Sequence, residues 1–536
     1  MGCKKPKLRA RRKPLGNTFR RSGHRKVATG TVFIQHAFCF AVLVAKGNLA
    51  VPAVSTLLQS EFYTDSEPSP TLRTPMEVNE ILVIAMFAAF VAFLFTGIPV
   101  AFLLGGIGVL FAGIGYLADQ YLGATTGLDF LTLGLVVNRV YKIMDNWVLV
   151  ALPVFIFMGL MLDRSGIAQR MMHAIARLFG QVRGGLAVTV TLIGMILAAS
   201  TGIIGASVVL LGTLSLPAML AQGYSRSLAA GTVCGAGSLG ILLPPSIMLV
   251  IMADQLALSV GDLFMGAVFP GLILGCLYLT YILITGYLNP DSAPPAEARG
   301  QVDWQAVGEV VKAIVPPVLL ILAVLGSIFA GIATPTEASG VGAVGAILLA
   351  WFNGKLDFAV FQAVLMATYT TTAYIFAIFL GATCFSLVLR ELGGDGLIEA
   401  ALTGLPFGEY GVLLAILAVV FALGFLLDWI EITLIILPLL SPVVAGLDLP
   451  IDGYGSVDQP ALIWFVMLVA VTLQTSFLTP PVGFALFYLK GVCPPQVSMM
   501  DIYRGVAPFI ALQLVGLGIV LLFPPLVIWL PAMAYG

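Results

Sequence analysis

The chain has 536 residues, of which 59% are hydrophobic and only 10% are charged, with a formal net charge of −1. Its mean hydropathy is +1.03. Soluble domains carry about 25% charged residues, so this composition excludes an ordinary soluble globular protein. We therefore predict an all-α polytopic membrane protein, located in a lipid bilayer.

Residues 1–75 form a basic arm with one short apolar run. Eleven of the 26 Lys and Arg lie in the first 26 residues, which contain no acid. Before a membrane domain, such an arm indicates a cytoplasmic anchor and not a segment that binds nucleic acid. The apolar run at residues 31–45 is short for a span and also resembles a leader sequence. A third interpretation starts the protein at Met76, and we expect residues 1–75 to be dispensable.

From Met76 onwards the apolar segments fall into two halves, residues 76–288 and residues 306–536. A polar, proline-rich linker at residues 289–305 separates them. Asp, Leu-Pro and Pro-Pro landmarks occur in the same order in both halves, which indicates an internal repeat.

Each half contains one apolar segment that is too long for a single membrane helix. These segments, residues 185–220 and 412–447, are each about 36 residues long. A helix of that length would extend about 54 Å, whereas the hydrocarbon core is about 30 Å thick. Both segments have small or polar residues near the middle. Each is therefore predicted to be a re-entrant helical hairpin.

A proline pair interrupts the apolar segment that follows each hairpin. Pro244 and Pro245 lie within residues 227–257, and Pro480 and Pro481 lie within residues 461–490. Unwound backbone at membrane depth is tolerated only where it is buried in protein or lines a cavity. Secondary transporters use such broken helices to bind coupling ions and substrate. The pattern therefore predicts a transporter with one broken helix in each half.

The loops before the two hairpins differ in charge. Residues 163–183 contain four Arg and one acid, whereas residues 390–409 contain one Arg and four acids. Positive loops stay on the cytoplasmic side, so the two loops are predicted to lie on opposite faces and the repeats to be inverted. The first loop suits either an amphipathic helix in the membrane interface or a solvated helix without a role in transport.

Other classes of function lack their motifs. The three histidines lie outside the strong apolar segments, and neither HExxH, GxSxG nor a phosphate-binding GxxxxGK[ST] loop occurs. The six cysteines have no spacing typical of zinc or of a disulfide framework. The chain is therefore predicted not to be an enzyme or an ATP-driven pump, and to need no cofactor except coupling ions.

Four motifs together resemble a known transporter family. They are LSLP at residues 214–217, GAGSLGILLPPS at 235–246, GIATPTEA at 331–338 and LTPPVG at 478–483. In combination they resemble the large, DctM-type membrane subunit of the tripartite ATP-independent periplasmic (TRAP) transporters, and the resemblance covers about residues 76–531.

The TRAP resemblance implies an elevator-type sodium symporter in the bacterial inner membrane. It also implies two partners, a small four-helix membrane subunit and a soluble periplasmic binding protein, and a small organic acid as the substrate. In this chain Asp428 is followed by Trp, Ile and Glu, and an insert occupies residues 446–460. These departures make the chain similar to a subgroup linked to mannitol, chloroaromatic or 2-oxo acid uptake. A binding-protein-independent sodium/carboxylate symporter of similar architecture is the alternative.

Two sodium sites are predicted where each hairpin tip faces a break. Sodium prefers several oxygen ligands, and carbonyl groups freed by unwinding supply them. The residues of the first site are Ser200, Gly202, Ser207, Gly235, Gly237 and Ser238. The residues of the second site are Asp428, Glu431, Thr479, Pro480, Val482 and Gly483. Substrate is expected between them, where helix N-termini favour a carboxylate.

Structural explanations compete with these assignments. Each small residue could instead allow close helix packing. Thr334 or Thr336 could cap a helix that carries Glu337 in its first turn. Pro244, Pro245 and Pro481 are assigned only to the helix breaks.

Overall fold

The computed structural model describes residues 77–202, 204–295, 304–449, 451 and 457–535, and every regular element in these ranges is helical. The predictions for residues 1–75, and for parts of the linker and of the insert, lie outside the described residues. Nine helices of the described part are long and apolar enough to cross a membrane. The predicted all-α membrane class is confirmed, whereas the inversion of the repeats stays a prediction.

From residue 77 onwards, five α-helices precede the first hairpin segment. They are α1 (Val78–Leu94), α2 (Val100–Leu122), α3 (Phe130–Met144), α4 (Ala151–Arg164) and α5 (Ile167–Phe179). Helix α3 was not anticipated from the sequence. Asp129 caps it by accepting a hydrogen bond from the Thr132 backbone N–H at 2.8 Å, which satisfies one of the free donors of its first turn.

Helix α5 is the amphipathic helix expected in the positive loop. Its apolar face is buried, including Met171 and Ile175. On its polar face, Arg177 forms an ion pair with Glu309, and Arg170 donates hydrogen bonds to Asn353. The helix is thus packed against the protein on one side and paired on the other.

The first hairpin segment and the first broken helix come next in the chain. Their helices are α6 (Gly185–Thr201), α7 (Ile204–Ala221), α8 (Arg226–Ser238) and α9 (Ile247–Gln255), followed by α10 (Val260–Leu288). Helices α6 and α7 meet at Gly202, whose φ of +60° is a left-handed conformation that glycine adopts without a steric cost. A 3₁₀ turn at Leu239–Ile241 ends the helical part of α8 before the break.

Ten helices lie in the described part of the second half. They are α11 (Trp304–Phe329), α12 (Pro335–Phe352), α13 (Phe358–Glu391), α14 (Gly394–Thr403), α15 (Gly408–Leu423), α16 (Trp429–Ala445), α17 (Pro460–Leu478), α18 (Phe484–Val492), α19 (Met499–Leu522) and α20 (Pro525–Tyr535). Helix α16 contains a π-helical stretch at Ile432–Ile436. Such stretches occur mostly at functional sites.

The two broken helices form the buried centre of the structure. Nearly every residue of α17 is buried, and so is α8 from Leu228 to Ser238. Small residues bring α8 against α19, because a side-chain carbon on Gly231 would lie 2.1 Å from the carbonyl oxygen of Gly505. Close approach through glycine is typical of helix packing inside membranes, where dispersion contacts replace the hydrophobic effect.

Candidate functional site

The first hairpin tip lies on the first broken helix. A side-chain carbon on Gly202 would lie 3.1 Å from the backbone nitrogen of Ile247, where α9 begins. A side-chain carbon on Gly237 would lie 2.6 Å from Val208 Cγ2 and 3.1 Å from the Val208 backbone nitrogen. Each of these glycines therefore permits a backbone contact between the hairpin and the broken helix.

Five of the six residues predicted for the first site lie in this region, and Gly202 and Gly237 form the contacts just described. Ser207 and Ser238 are buried beside the contact between Val208 and Gly237. Ser200 belongs to the last turn of α6, next to Gly202.

Gly235 is not brought to the hairpin. A side-chain carbon at this position would lie 2.6 Å from Cδ1 of the Phe509 ring in α19. Its carbonyl oxygen accepts a hydrogen bond from the Ser238 hydroxyl at 2.9 Å. The structure therefore gives Gly235 the packing role that competed with the ligand role.

The first break, residues 242–246, is completely buried. Proline has no N–H, so Pro244 and Pro245 cannot donate helical hydrogen bonds to the carbonyls of Gly240 and Ile241. The Ser246 hydroxyl donates to the Ile241 carbonyl at 2.5 Å. The Pro244–Pro245 peptide bond of this break and the Pro480–Pro481 bond of the second break are both cis. The break thus presents backbone carbonyls that lack their regular helical donors inside a closed, apolar environment.

The second hairpin tip likewise contacts the second broken helix. A side-chain carbon on Gly424 would lie 2.2 Å from Ser476 Oγ, one turn before the second break. Asp428 begins α16, and its Oδ1 accepts a hydrogen bond from the Trp429 backbone N–H at 2.8 Å. The half-buried Asp428 therefore has one defined structural role, as the cap of α16.

Glu431 is the most unusual charged residue of this tip. Its side chain is 1% exposed, and its Oε2 has no hydrogen-bond partner within the described residues. An ionised carboxylate at membrane depth costs roughly 2.5–3.5 kcal/mol unless it is paired. Glu431 therefore requires either a proton or a cation.

The second break is more open than the first. Thr479, Pro480 and Val482 are half-buried and Pro481 is exposed, whereas Gly483 is buried with a φ of +42°. The Thr479 hydroxyl donates to the Thr475 carbonyl at 2.7 Å, which leaves its own oxygen available as an acceptor. The second site therefore combines carboxylate, hydroxyl and backbone oxygens beside an accessible space.

Two tyrosines that the sequence analysis did not identify lie near these tips. A side-chain carbon on Gly205, in the first hairpin, would lie 3.0 Å from the Tyr488 ring. The charge of Asp428 acts on both Tyr488 and Tyr374. Tyr488 in α18 and Tyr374 in α13 are each about half exposed, 47% and 48%. Both rings are therefore accessible from outside the protein interior and near the acidic tip.

A buried polar cluster joins the two broken helices. Gln474 Nε2 lies 3.4 Å from Ser238 Oγ, and both side chains are fully buried. The Tyr278 hydroxyl lies near Ser238 and Gln513 without satisfactory hydrogen-bond geometry. The sequence signal that could have revealed this cluster is the presence of Gln474 and Gln513 in apolar helices, because polar groups in membrane helices seldom lack a partner.

The segment around Glu337 has a structural role. Thr334 Oγ1 accepts a hydrogen bond from the Glu337 backbone N–H at 3.3 Å, and Glu337 Oε2 accepts one from the Thr334 backbone N–H at 2.8 Å. This is a capping box. The Thr336 hydroxyl donates to the Trp147 carbonyl at 3.0 Å and so ties α12 to the turn before α4.

No cluster of three or more His, Cys, Asp or Glu side chains that could hold a metal ion occurs among the described residues. An ion at either tip would therefore rely mainly on hydroxyl and carbonyl oxygens, with two carboxylates only at the second. Such a ligand set suits a hard monovalent cation better than a transition metal.

Comparison with solved structures supports the fold. A transporter from Alcanivorax borkumensis, YdaH, whose crystal structure has an unusual topology, matches with a TM-score of 0.54 and 13% sequence identity. The match covers 82% of this chain and 97% of that one. At this identity the likeness concerns the fold alone.

Comparison with known sequences gives the family. Two relatives from Vibrio cholerae are each 27% identical to this chain. One is a C4-dicarboxylate TRAP transporter large permease, and the match covers 84% of this chain and 98% of that protein. The other is a sialic acid TRAP transporter large permease, and the match covers 81% of this chain and 98% of that protein. Residues 87–526 match the family model described as the tripartite ATP-independent periplasmic transporter, DctM component. The chain therefore belongs to the DctM family of TRAP transporter large permeases and is a multi-pass protein of the inner membrane.

Proposed function

We propose that this permease imports an organic acid by symport with sodium ions. The carrying observation is that each hairpin tip contacts the broken helix of its own half, through Gly202 and Gly237 in the first half and Gly424 in the second. Alternating-access transporters bind ions and substrate at such discontinuous helices.

One sodium ion binds between the first tip, at Gly202 and Ser207, and the end of α8, at Gly237 and Ser238. This proposal is supported by the buried, unwound backbone of the first break, which offers carbonyl oxygens without a fixed charge. Gly235 is omitted from this ligand set because its face is covered by Phe509.

A second sodium ion binds between the acidic second tip and the second break. The support is the buried and unpartnered Oε2 of Glu431, since a cation would offset the cost of ionising this carboxylate. Asp428 and Thr479 would contribute further oxygens. The substrate carboxylate would lie between the ions, beside Tyr488.

The proposed partners are the small four-helix membrane subunit and the periplasmic binding protein. The rival hypothesis, a symporter that works without a binding protein, is not favoured, because the matching family model describes a component of a tripartite system. The substrate class rests on the names of relatives, which include a dicarboxylate and a sialic acid permease at equal identity. We propose a carboxylate, with 2-oxo acids as the first candidates because of the residues that follow Asp428.

Uptake in proteoliposomes tests the proposal. The permease is reconstituted with its small subunit, and the binding protein encoded beside it is added with the acid that this protein binds. An inward sodium gradient should drive accumulation in the absence of ATP, and dissipating the gradient should abolish it. Equal accumulation when potassium replaces sodium would show that the coupling ion has been assigned wrongly.

A further inference from the structure

A polar cavity lies outside the two predicted ion sites. It has a volume of about 250 Å³ and is bounded by α3, α13, α16 and the end of α9. Three cationic side chains line it, and they are Arg139, Lys142 and Arg390. Cations gathered around one cavity repel each other, so an anion inside it would stabilise all three.

The charges around this cavity are unevenly paired. Arg390 Nε lies 3.3 Å from Asp395 Oδ2, and Glu391 is also close. Arg139 and Lys142 form no salt bridge among the described residues. Burial and the neighbouring charge of Arg390 lower the pKa of Arg139. Arg390 therefore has an acidic partner, whereas the Arg139 guanidinium keeps donors that no described residue uses.

The rest of the lining suits a small organic anion. Thr383, Ser386 and Gln255 add polar groups, while Leu434, Ile435 and Pro438 of α16 form an apolar wall. The hydroxyl of Thr383 donates to the Phe379 carbonyl at 2.8 Å, so its lone pairs can still accept. An oxyanion could thus bind the guanidinium groups while its carbon skeleton contacts the apolar wall.

The cavity wall is fixed at the end of α9. Asp254 Oδ1 accepts a hydrogen bond from Asn146 Nδ2 at 2.5 Å, which joins α9 to the turn that follows α3. Gln255, the next residue, lines the cavity and donates to Asp254 Oδ2 at 3.0 Å. The cavity is therefore built by contacts between four separate chain segments.

The location of the cavity relates it to the transport path. Its apolar wall belongs to α16, which Asp428 caps and which contains Glu431 in its first turn. The α16 wall of the cavity, which includes Leu434 and Ile435, therefore begins one helical turn after Glu431. Arg390 lines the cavity and pairs with Asp395 of α14, in the acidic loop. The charge pattern predicts that this loop lies on the periplasmic face.

We propose that this cavity is an entry subsite that binds the carboxylate of the incoming acid before it reaches the hairpin tips. The proposal rests on the proposed import of an organic acid. Bidentate hydrogen bonds from Arg139 to a carboxylate would supply most of the affinity, with Lys142 and Arg390 as supporting charges. The phosphate of an anionic lipid headgroup is the other oxyanion source that this chemistry admits.

Binding measurements on the purified permease with its small subunit test the subsite. Nanodiscs of phosphatidylcholine in potassium buffer are titrated with malonate, a small carboxylate probe, and binding is followed calorimetrically. Arg139→Gln should weaken malonate binding about tenfold, whereas Arg139→Lys should weaken it less. The control is Arg504→Gln, which removes the same charge from an exposed position in the second turn of α19.

Equal malonate affinity in Arg139→Gln and Arg504→Gln would overturn the subsite. A second series replaces part of the phosphatidylcholine by phosphatidylglycerol. If only phosphatidylglycerol raises the melting temperature in an Arg139-dependent manner and malonate has no effect, the carboxylate assignment is overturned. Because no sodium gradient is present, the result is independent of the uptake experiment, and failure of sodium coupling would not be mistaken for failure of the subsite.

Discussion

Replacement of Glu431 by Gln tests the second ion site most directly. The substitution preserves the shape of a side chain that is 1% exposed and removes only its charge. If the carboxylate binds sodium, the variant should need a higher sodium concentration for half-maximal uptake. Interactions with charged groups contribute about 1.5–3 kcal/mol, which corresponds to a rise of roughly 10- to 150-fold.

The same substitution should not impair membrane insertion or folding. A charge at membrane depth costs roughly 2.5–3.5 kcal/mol, and Gln removes this cost while retaining an amide that can form hydrogen bonds. We therefore expect unchanged expression and an equal or higher melting temperature. A variant that lost activity through unfolding would show a lower melting temperature instead.

Asp428→Asn provides a second measurement at the same tip. The Asn side-chain oxygen can still accept the hydrogen bond that Asp428 Oδ1 receives from the Trp429 N–H, so the cap of α16 is retained. A change in sodium dependence would therefore report the charge alone. Asp428→Ala would in addition lose the cap, at a cost of about 1 kcal/mol.

The assay is sodium-dependent uptake in proteoliposomes that contain the small subunit and binding protein, at equal permease content. Glu409→Gln, an exposed acid in the first turn of α15, is the control and should behave like the wild-type chain. If Glu431→Gln and Asp428→Asn both show the sodium half-saturation of the wild type, the carboxylates are not ion ligands. The second ion site would then consist of neutral oxygens alone.

Gly237→Ala should lower the melting temperature because its added carbon would lie 2.6 Å from Val208 Cγ2, which costs about 1–3 kcal/mol. Gly326→Ala is the control and should leave the melting temperature unchanged, since no atom lies within 4 Å of its added carbon. Equal melting temperatures would show that the hairpin does not pack on α8 as described. Tyr488→Ala should raise the KM for substrate several-fold with little change in melting temperature, since its ring is 47% exposed, and an unchanged KM would remove Tyr488 from the site. Thr334→Val should cost about 1 kcal/mol of unfolding free energy through loss of the capping box, and it should leave the sodium half-saturation unchanged. Thr370→Val, at an exposed position in α13, is its control. A shifted sodium half-saturation in Thr334→Val would contradict the purely structural role.

The hairpin segments and the breaks could be predicted from the sequence because they follow from local rules. A 36-residue apolar segment exceeds the thickness of the bilayer, and proline lacks the N–H that a helix needs, whatever surrounds it. The helices of the first hairpin, Gly185–Thr201 and Ile204–Ala221, and the break after Ser238 lie within a few residues of the expected positions. The cap formed by Thr334 and Glu337 is equally local.

Only the tertiary structure decided which faces meet. Gly235 and Gly237 are two residues apart, yet one packs on Phe509 of α19 and the other on Val208 of the hairpin. The sequence could not separate them, because lipid and protein interior are both apolar and a membrane helix shows little amphipathic contrast between its faces. Tyr488 between the tips and Gln474 beside Ser238 are likewise brought into place by contacts between segments more than 200 residues apart, which no local pattern encodes.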